Sequence, residues 1–435
     1  MVGFYFSVKL GFMTYTKTVL KNGLRIITVP MKDNQTVTVM TLVETGSNYE
    51  TKDVNGISHF LEHMCFKGTT KRPTAAHINN ELDSLGSQSN AFTGTEYTGY
   101  WAKAHHSKVN NLLDVVSDVY LNSTLPEKEI EKEKGVIIEE LNMYQDLPQV
   151  KVGEIFGELL YGDQPAGRPI IGTRENIKKM TREDFVKYRQ AHYVAKATTV
   201  VVAGKIQEKK IISQIEKLFS GISKGKKSGK EKVKESQKAP QAKVFFKETD
   251  QTHLVIGFRS FDRYDKRNTE LSILSVILGG GMSSRLFQKM REELGICYYV
   301  RSGKDSSTTH GSFNISAGVS NTRVSEAITG ILDEVKKIVK EAVPKDELRK
   351  AKDYMIGNMF LGLESSDSLA DFFGFQELMH DKKILTSDDI VSKIEKVAAK
   401  DIQKVAQEIL KNENLNLAIV GPFKDSSEFL QLLKI

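Results

Sequence analysis

Three landmarks in this 435-residue chain recur at an almost fixed offset. Pro126-Glu127-Lys128-Glu129-Ile130 returns as Pro344-Lys345-Asp346-Glu347-Leu348, 218 positions later. Asp184 returns as Asp401, and Val201-Val202-Ala203-Gly204 as Ala418-Ile419-Val420-Gly421, both 217 positions later. A shared offset across separated landmarks marks an internal duplication, so the two halves are expected to fold alike. Each half opens with strand-like text: Leu24 to Val29 and Thr36 to Val43 in the first, Lys243 to Phe246 and His253 to Phe258 in the second. Helical stretches, a strand, a long helical block and a short apolar strand ending in glycine follow in both. Strands grouped around several long helices predict the α+β class, a sheet covered by helices in each half. The expected partition is a tail over 1–13, a first domain over 14–222, a Lys-rich linker over 223–242 and a second domain over 243–435.

Charge and composition exclude several classes. The net charge is +7, but seven lysines and two glutamates between Lys224 and Lys238 supply +5 of it, leaving +2 for the rest. No arginine or aromatic residue interleaves with that run, so it reads as a flexible, solvated linker and not as a nucleic-acid surface. No apolar run approaches the ~18 residues of a membrane span. Residues 1–12 are apolar but lack a basic leading segment, a small-residue cleavage site and arginine, which predicts neither secretion nor mitochondrial import. Two cysteines, Cys65 and Cys297, fit a reducing compartment. A cytoplasmic location is expected.

The chemistry concentrates in His59-Phe60-Leu61-Glu62-His63, inside a helix-compatible stretch from Gly56 to Phe66. Residues four apart lie one above the other on a helix, so His59 and His63 can present two imidazole nitrogens to one point. That pair suits Zn²⁺ at ~2.0–2.1 Å, and the neighbouring Glu62 can take a proton from a water activated there. The order is the reverse of H-E-x-x-H and is a metallopeptidase signature. A catalytic zinc usually has a third protein ligand. A helix from Pro126 to about Tyr144 places Glu133, Val136, Ile137 and Glu140 on one stripe, and two carboxylates among apolar residues there call for a cation or strong hydrogen bonds. Spacing alone leaves Glu139 and Glu140 both open. The second half has no such motif: its helix Glu270 to Leu278 runs into Gly279-Gly280-Gly281 without a histidine. Ala351 and Asn358 stand where the 218-residue offset would put Glu133 and Glu140.

His59 to Thr69 (HFLEHMCFKGT), with Glu133 and Glu140 seven apart, resembles the pitrilysin/insulysin family of inverted zincins, in particular its mitochondrial processing peptidase-like, bacterial-type branch. Tyr161 to Pro165 and Gly167 to Gly172 resemble that family's loop after the acidic helix. The resemblance runs from about Thr16 to Leu433. It implies one Zn²⁺ per chain held by His59, His63 and Glu140, with Glu62 as general base and Glu133 supporting the site from behind a ligand. It also implies two homologous domains, each a mainly antiparallel sheet packed with helices, together forming half of a clamshell.

Two further elements resemble the family. Asn90-Ala91-Phe92-Thr93 matches the edge strand to which a substrate peptide adds by backbone pairing. In the second half, Ser283 to Phe287 with Arg291 to Tyr298 matches an arginine–tyrosine element. There Arg291 would anchor substrate backbone and Tyr298 would stabilise the tetrahedral intermediate. By its residues alone that stretch reads as a helix capped by Ser283 or Ser284 and closed by Gly295.

The function implied is zinc-dependent endopeptidase action on short or unfolded peptides in a closed chamber, either processing or oligopeptide degradation. Chains of this length would close the chamber as a homodimer, or as a heterodimer with a related subunit. Gln149, Val150 and Lys151 stand where arginine-directed relatives place acids, which argues against presequence specificity. The alternative is a non-catalytic structural or assembly subunit of the same fold. Retention of all three ligands and Glu62 argues for the enzyme.

Overall fold

The structure is a computed structural model that describes residues 5–8, 14–380 and 383–435. It contains two compact units, one of Met1–Leu141, Pro169–Glu231 and Phe360–Asp388, the other of Asn142–Arg168, Lys232–Met359 and Asp389–Ile435. Neither is contiguous in sequence, unlike the expected domains 14–222 and 243–435.

The first unit is built on a seven-stranded sheet. Its strands are β1 (Tyr5–Val8), β2 (Tyr15–Val19), β3 (Arg25–Pro30), β4 (Thr36–Val43), β5 (Gln88–Thr93), β6 (Thr98–His105) and β7 (Thr198–Gly204). The order is β1-β2-β3-β7-β4-β6-β5, antiparallel except for the parallel pair β3 and β7. β1 falls within the expected tail and pairs with β2; residues 1–4 and 9–13 lie outside the described residues. Nearly every residue of β3, β4 and β7 is buried, in consecutive and not alternating positions. A strand buried at successive residues has both faces covered.

The second unit repeats the design with β8 (Gln241–Phe246), β9 (Gln251–Ser260), β10 (Cys297–Ser306), β11 (Gly311–Ser320) and β12 (Leu415–Gly421). Their order, β8-β12-β9-β11-β10, traces the same path as β3-β7-β4-β6-β5, again with one parallel pair, β8 and β12. The recurring landmarks acquire physical reasons. Pro126 and Pro344 precede the long helices Glu127–Asp146 and Lys345–Gly362. Asp184 and Asp401 accept the backbone N–H of Thr181 and Ala398, 2.9 and 3.0 Å away, fixing two helix N-termini. The two apolar tetrapeptides lie in the fully buried strands β7 and β12.

Each unit takes one helix from the other half of the sequence. Helix Pro148–Tyr161, from the first half, packs on β8, β9 and β12. Its Phe156 ring lies where a Cβ on Gly257 would sit, 2.3 Å from the ring's Cζ, so β9 needs glycine at that point. Helix Ser366–Leu378, from the second half, packs on β4 and β7, and its Ser366 hydroxyl shares a buried 2.8 Å hydrogen bond with Thr38. Each sheet face is apolar enough to need this cover.

The Lys-rich segment differs from the flexible linker expected. Lys227 and Lys230 form ion pairs with Glu44 and Glu96, two buried carboxylates that need cations, and Lys230 also lies 5.1 Å from the Tyr49 ring centroid. Ser228 donates to the Ala191 carbonyl, and Gln164 accepts from the Lys234 backbone. Among the described residues no helix is long and apolar enough to cross a membrane.

Candidate metal centre

The motif forms helix Ile57–Cys65. Its N-terminus is fixed by Glu50, a buried carboxylate that accepts the backbone N–H groups of Gly56 and Ser58, each at 2.8 Å, and the Asn55 amide at 2.9 Å. The two backbone N–H groups are donors that a helix start leaves unpaired, and a negative charge there also suits the helix dipole. Gly56 has φ +101°, and a Cβ on it would lie 2.7 Å from the Ile171 carbonyl oxygen, so glycine alone fits the entry. Phe60, Leu61 and Met64 are completely buried and clamp the helix. Cys65 is likewise fully buried, which favours core packing, and burial pushes its thiol pKa up.

With one side of the helix so anchored, His59 and His63 project from another, their ring centroids 4.7 Å apart. Helix Glu127–Asp146 supplies the third group. Ile130, Glu133, Ile137 and Leu141 are its buried residues, whereas Val136, expected on the same stripe, is half exposed. Glu139 is exposed, while Glu140 turns inward and settles the choice that spacing left open. Glu140 Oε2 lies 3.6 Å from His59 Nε2 and 3.6 Å from His63 Nε2, and one candidate ligand atom from each residue falls within 4.8 Å of the others.

That carboxylate oxygen is buried and has no hydrogen-bond partner among the described residues. A desolvated anionic oxygen facing two imidazoles is costly unless a proton or a cation sits between them. Ligand atoms arranged tetrahedrally around Zn²⁺ are roughly 3.4 Å apart, close to the spacing here. The residues therefore fit a zinc ion. Burial, with the neighbouring His63 adding to it, pushes the His59 pKa down to about 4, which keeps that ring neutral as a ligand must be.

His63 is held from behind. Its Nδ1 is 2.9 Å from Glu133 Oε1, and the other Glu133 oxygen is 2.6 Å from Lys67 Nζ. Burial would raise the Glu133 pKa, but its bonds to His63 and Lys67 outweigh that and lower it. For His63 burial acts downward, and the bond to Glu133 together with the charges of Glu62, Glu140 and Glu133 brings the net pKa up. A carboxylate behind a ligand imidazole fixes the ring's orientation and raises its basicity.

Glu62 sits beside the two histidines and is buried, which pushes its carboxyl pKa up; a hydrogen bond from Thr93 opposes the shift. Thr93 Oγ1 donates to Glu62 Oε2 at 2.5 Å. Asn90, Ala91 and Phe92 lie on β5, which ends the strand order and pairs with β6 alone among the described strands.

Arg291 and Tyr298 belong to the second unit. The stretch Phe287–Glu293 is π-helical, not the serine-capped α-helix expected. Ser284 Oγ donates to the Gly281 carbonyl at 2.5 Å and so caps no helix donor; Gly295, at φ +60°, does end the turn. Arg291 Nη1 donates to the Tyr298 carbonyl at 2.5 Å, and its guanidinium lies 5.2 Å from that ring. Tyr298 is 72% exposed, at a bulge where β10 loses register with β11.

Sequence reasoning missed Glu50, Lys67 and a role for Thr93. Lys67 and Thr93 stood inside the segments singled out, but only contact with a carboxylate distinguishes them from an exposed lysine and a strand threonine.

Comparison with known proteins identifies the family. Residues 25–174 match the family model "Insulinase (Peptidase family M16)", and residues 179–355 match "Peptidase M16 inactive domain". The chain is 34% identical over 403 residues to the uncharacterized zinc protease YmxG of Bacillus subtilis, covering 92% of this chain and 97% of that protein. It is 32% identical over 424 residues to an uncharacterized zinc protease of Streptomyces coelicolor, covering 95% and 91%. A protease from Helicobacter pylori has the same fold, with a TM-score of 0.88 at 23% identity over 97% of this chain and all of that one. Matches across both halves show that this chain belongs to the M16, or insulinase, family of peptidases.

Proposed function

We propose that the chain is a zinc-dependent endopeptidase that cuts short or unfolded peptides. One observation carries the reading: a buried Glu140 oxygen, without a hydrogen-bond partner among the described residues, placed 3.6 Å from both histidine nitrogens. His59, His63 and Glu140 would hold one Zn²⁺. When bound, zinc supplies a Lewis acid that acidifies water and polarises a peptide carbonyl. The chain's own residues do the rest. Glu133 and Lys67 hold His63 by its Nδ1 side. Glu62 takes a proton from the attacking water and passes it to the departing amine. An extended substrate would add to the edge of β5 that has no strand neighbour among the described residues, leaving side-chain choice to the surroundings.

The test is metal content together with cleavage. Purified protein is expected to carry close to one zinc per chain and to cut a quenched peptide pool. A chelator should stop cleavage, and added zinc should restore it. A zinc-free, or zinc-loaded but inert, protein would overturn the proposal.

The family resemblance further leads us to propose that two chains pair and that Arg291 and Tyr298 serve the metal centre of the partner chain. A mixture of inactive Glu62→Gln and inactive Arg291→Ala chains, allowed to exchange subunits, is then expected to regain activity. Continued silence after exchange has been demonstrated would exclude sharing. Beyond Gln149, Val150 and Lys151 the nearest acid, Glu154, is paired with Lys151 at 2.9 Å. This favours degradation of mixed oligopeptides over cleavage directed by arginine.

A further inference from the structure

Resting on the peptidase reading, we propose that Thr93 is a positioning residue that aims the proton-accepting oxygen of Glu62 and ties that aim to the substrate-binding strand. Thr93 closes β5, the sheet's edge strand, and its hydroxyl donates to Glu62 Oε2 at 2.5 Å. No other hydrogen bond reaches the Glu62 carboxylate among the described residues. Burial leaves Glu62 little water to hold it, so Thr93 alone fixes the rotation of that carboxylate. With Oε2 engaged, Oε1 is the oxygen left to receive the proton. A base works only within hydrogen-bond reach and in the correct orientation, so a freely turning carboxylate wastes most of its encounters.

The backbone of Thr93 pairs with Thr98 on the inner side of the strand, and the outer side of β5 has no strand neighbour among the described residues. A peptide added to that outer edge would bond to the strand whose last side chain holds the base. Substrate docking and base alignment thus share one short piece of backbone. Valine has the same shape as threonine and a strand preference at least as strong. A purely structural role would therefore survive Thr93→Val.

The experiment compares Thr93→Val, Thr93→Ser, Glu62→Gln and the Thr93→Val/Glu62→Gln double variant. Each is measured for kcat and KM on a quenched peptide, for zinc affinity by chelator competition, and for Tm. Thr93→Val is expected to lower kcat by about 10- to 100-fold, the worth of one hydrogen bond to a charged group, with KM and zinc affinity unchanged. Thr93→Ser should restore most of the rate, and Thr93→Val should add nothing in the Glu62→Gln background. A crystal structure of metal-free Thr93→Val protein should show Glu62 in more than one rotamer. Thr93→Ala, read against Thr93→Ser, is a second variant without the hydroxyl and must reproduce the loss. An unchanged kcat in an active protein overturns the proposal and leaves the peptidase reading intact. A rise in KM alone, or a weakened zinc site, overturns it as well, by making Thr93 a substrate contact or a metal-site support. Zinc-loaded but inactive wild-type protein would instead bring down the peptidase reading.

Discussion

Glu62→Gln protein is expected to hold its zinc and to lose kcat by on the order of 10²–10⁴-fold. The amide is nearly isosteric and can still accept the Thr93 hydroxyl through its oxygen, so the pocket should not collapse. What disappears is the group that accepts a proton. Glu62 does not join the cluster formed by His59, His63 and Glu140, so metal retention should be close to normal. Zinc analysis beside single-turnover cleavage reads both halves of the expectation. Loss of metal with activity would make Glu62 a ligand, and full activity would give the proton to another base.

Arg72→Met should cost about 3–5 kcal/mol of stability, the range for stranding a buried charge. Arg72 is 3% exposed and sits five residues after Lys67, which pairs with Glu133. Its guanidinium reaches Glu81 twice at 2.7 Å, Asp114 at 2.6 Å and Asp118 at 2.7 Å. Asp118 is also buried and receives the Thr69 hydroxyl at 2.5 Å and the Asn122 amide at 2.8 Å. Removing the cation leaves that carboxylate without charge compensation. Glu81 and Asp114 are each about a third exposed, and water will screen their share, so the lower end of the range is expected. A fall in Tm of at least about 6 °C should follow for a unit of this size. A Tm indistinguishable from wild type would mean that the network only tidies the surface.

Much of this arrangement was legible in the residues. The duplication, the α+β class and strands such as Thr36–Val43 followed from offset and pattern because sheets and long helices repeat locally. The two histidines and Glu62 followed from helical spacing, which is fixed by backbone geometry alone. The third carboxylate of the cluster was narrowed to Glu139 or Glu140 by spacing, and only the folded structure, which turns Glu140 inward and leaves Glu139 exposed, separates them. Val136 was placed on the buried stripe because period alone cannot say how wide a helix's covered face is. The lysine segment read as free chain because its partners, Glu44 and Glu96, lie about 180 and 130 residues away in sequence. The π-turn at Phe287–Glu293 has no composition signal, since it depends on how one extra residue is accommodated.

The exchanged helices have a consequence for anyone who cuts the gene in two. Severed between Ser223 and Gln241, neither fragment would own a full set of covering elements. Each would show bare, aggregation-prone strands until it met the other. Expressed apart they should be insoluble, and produced together they should assemble as a split protein.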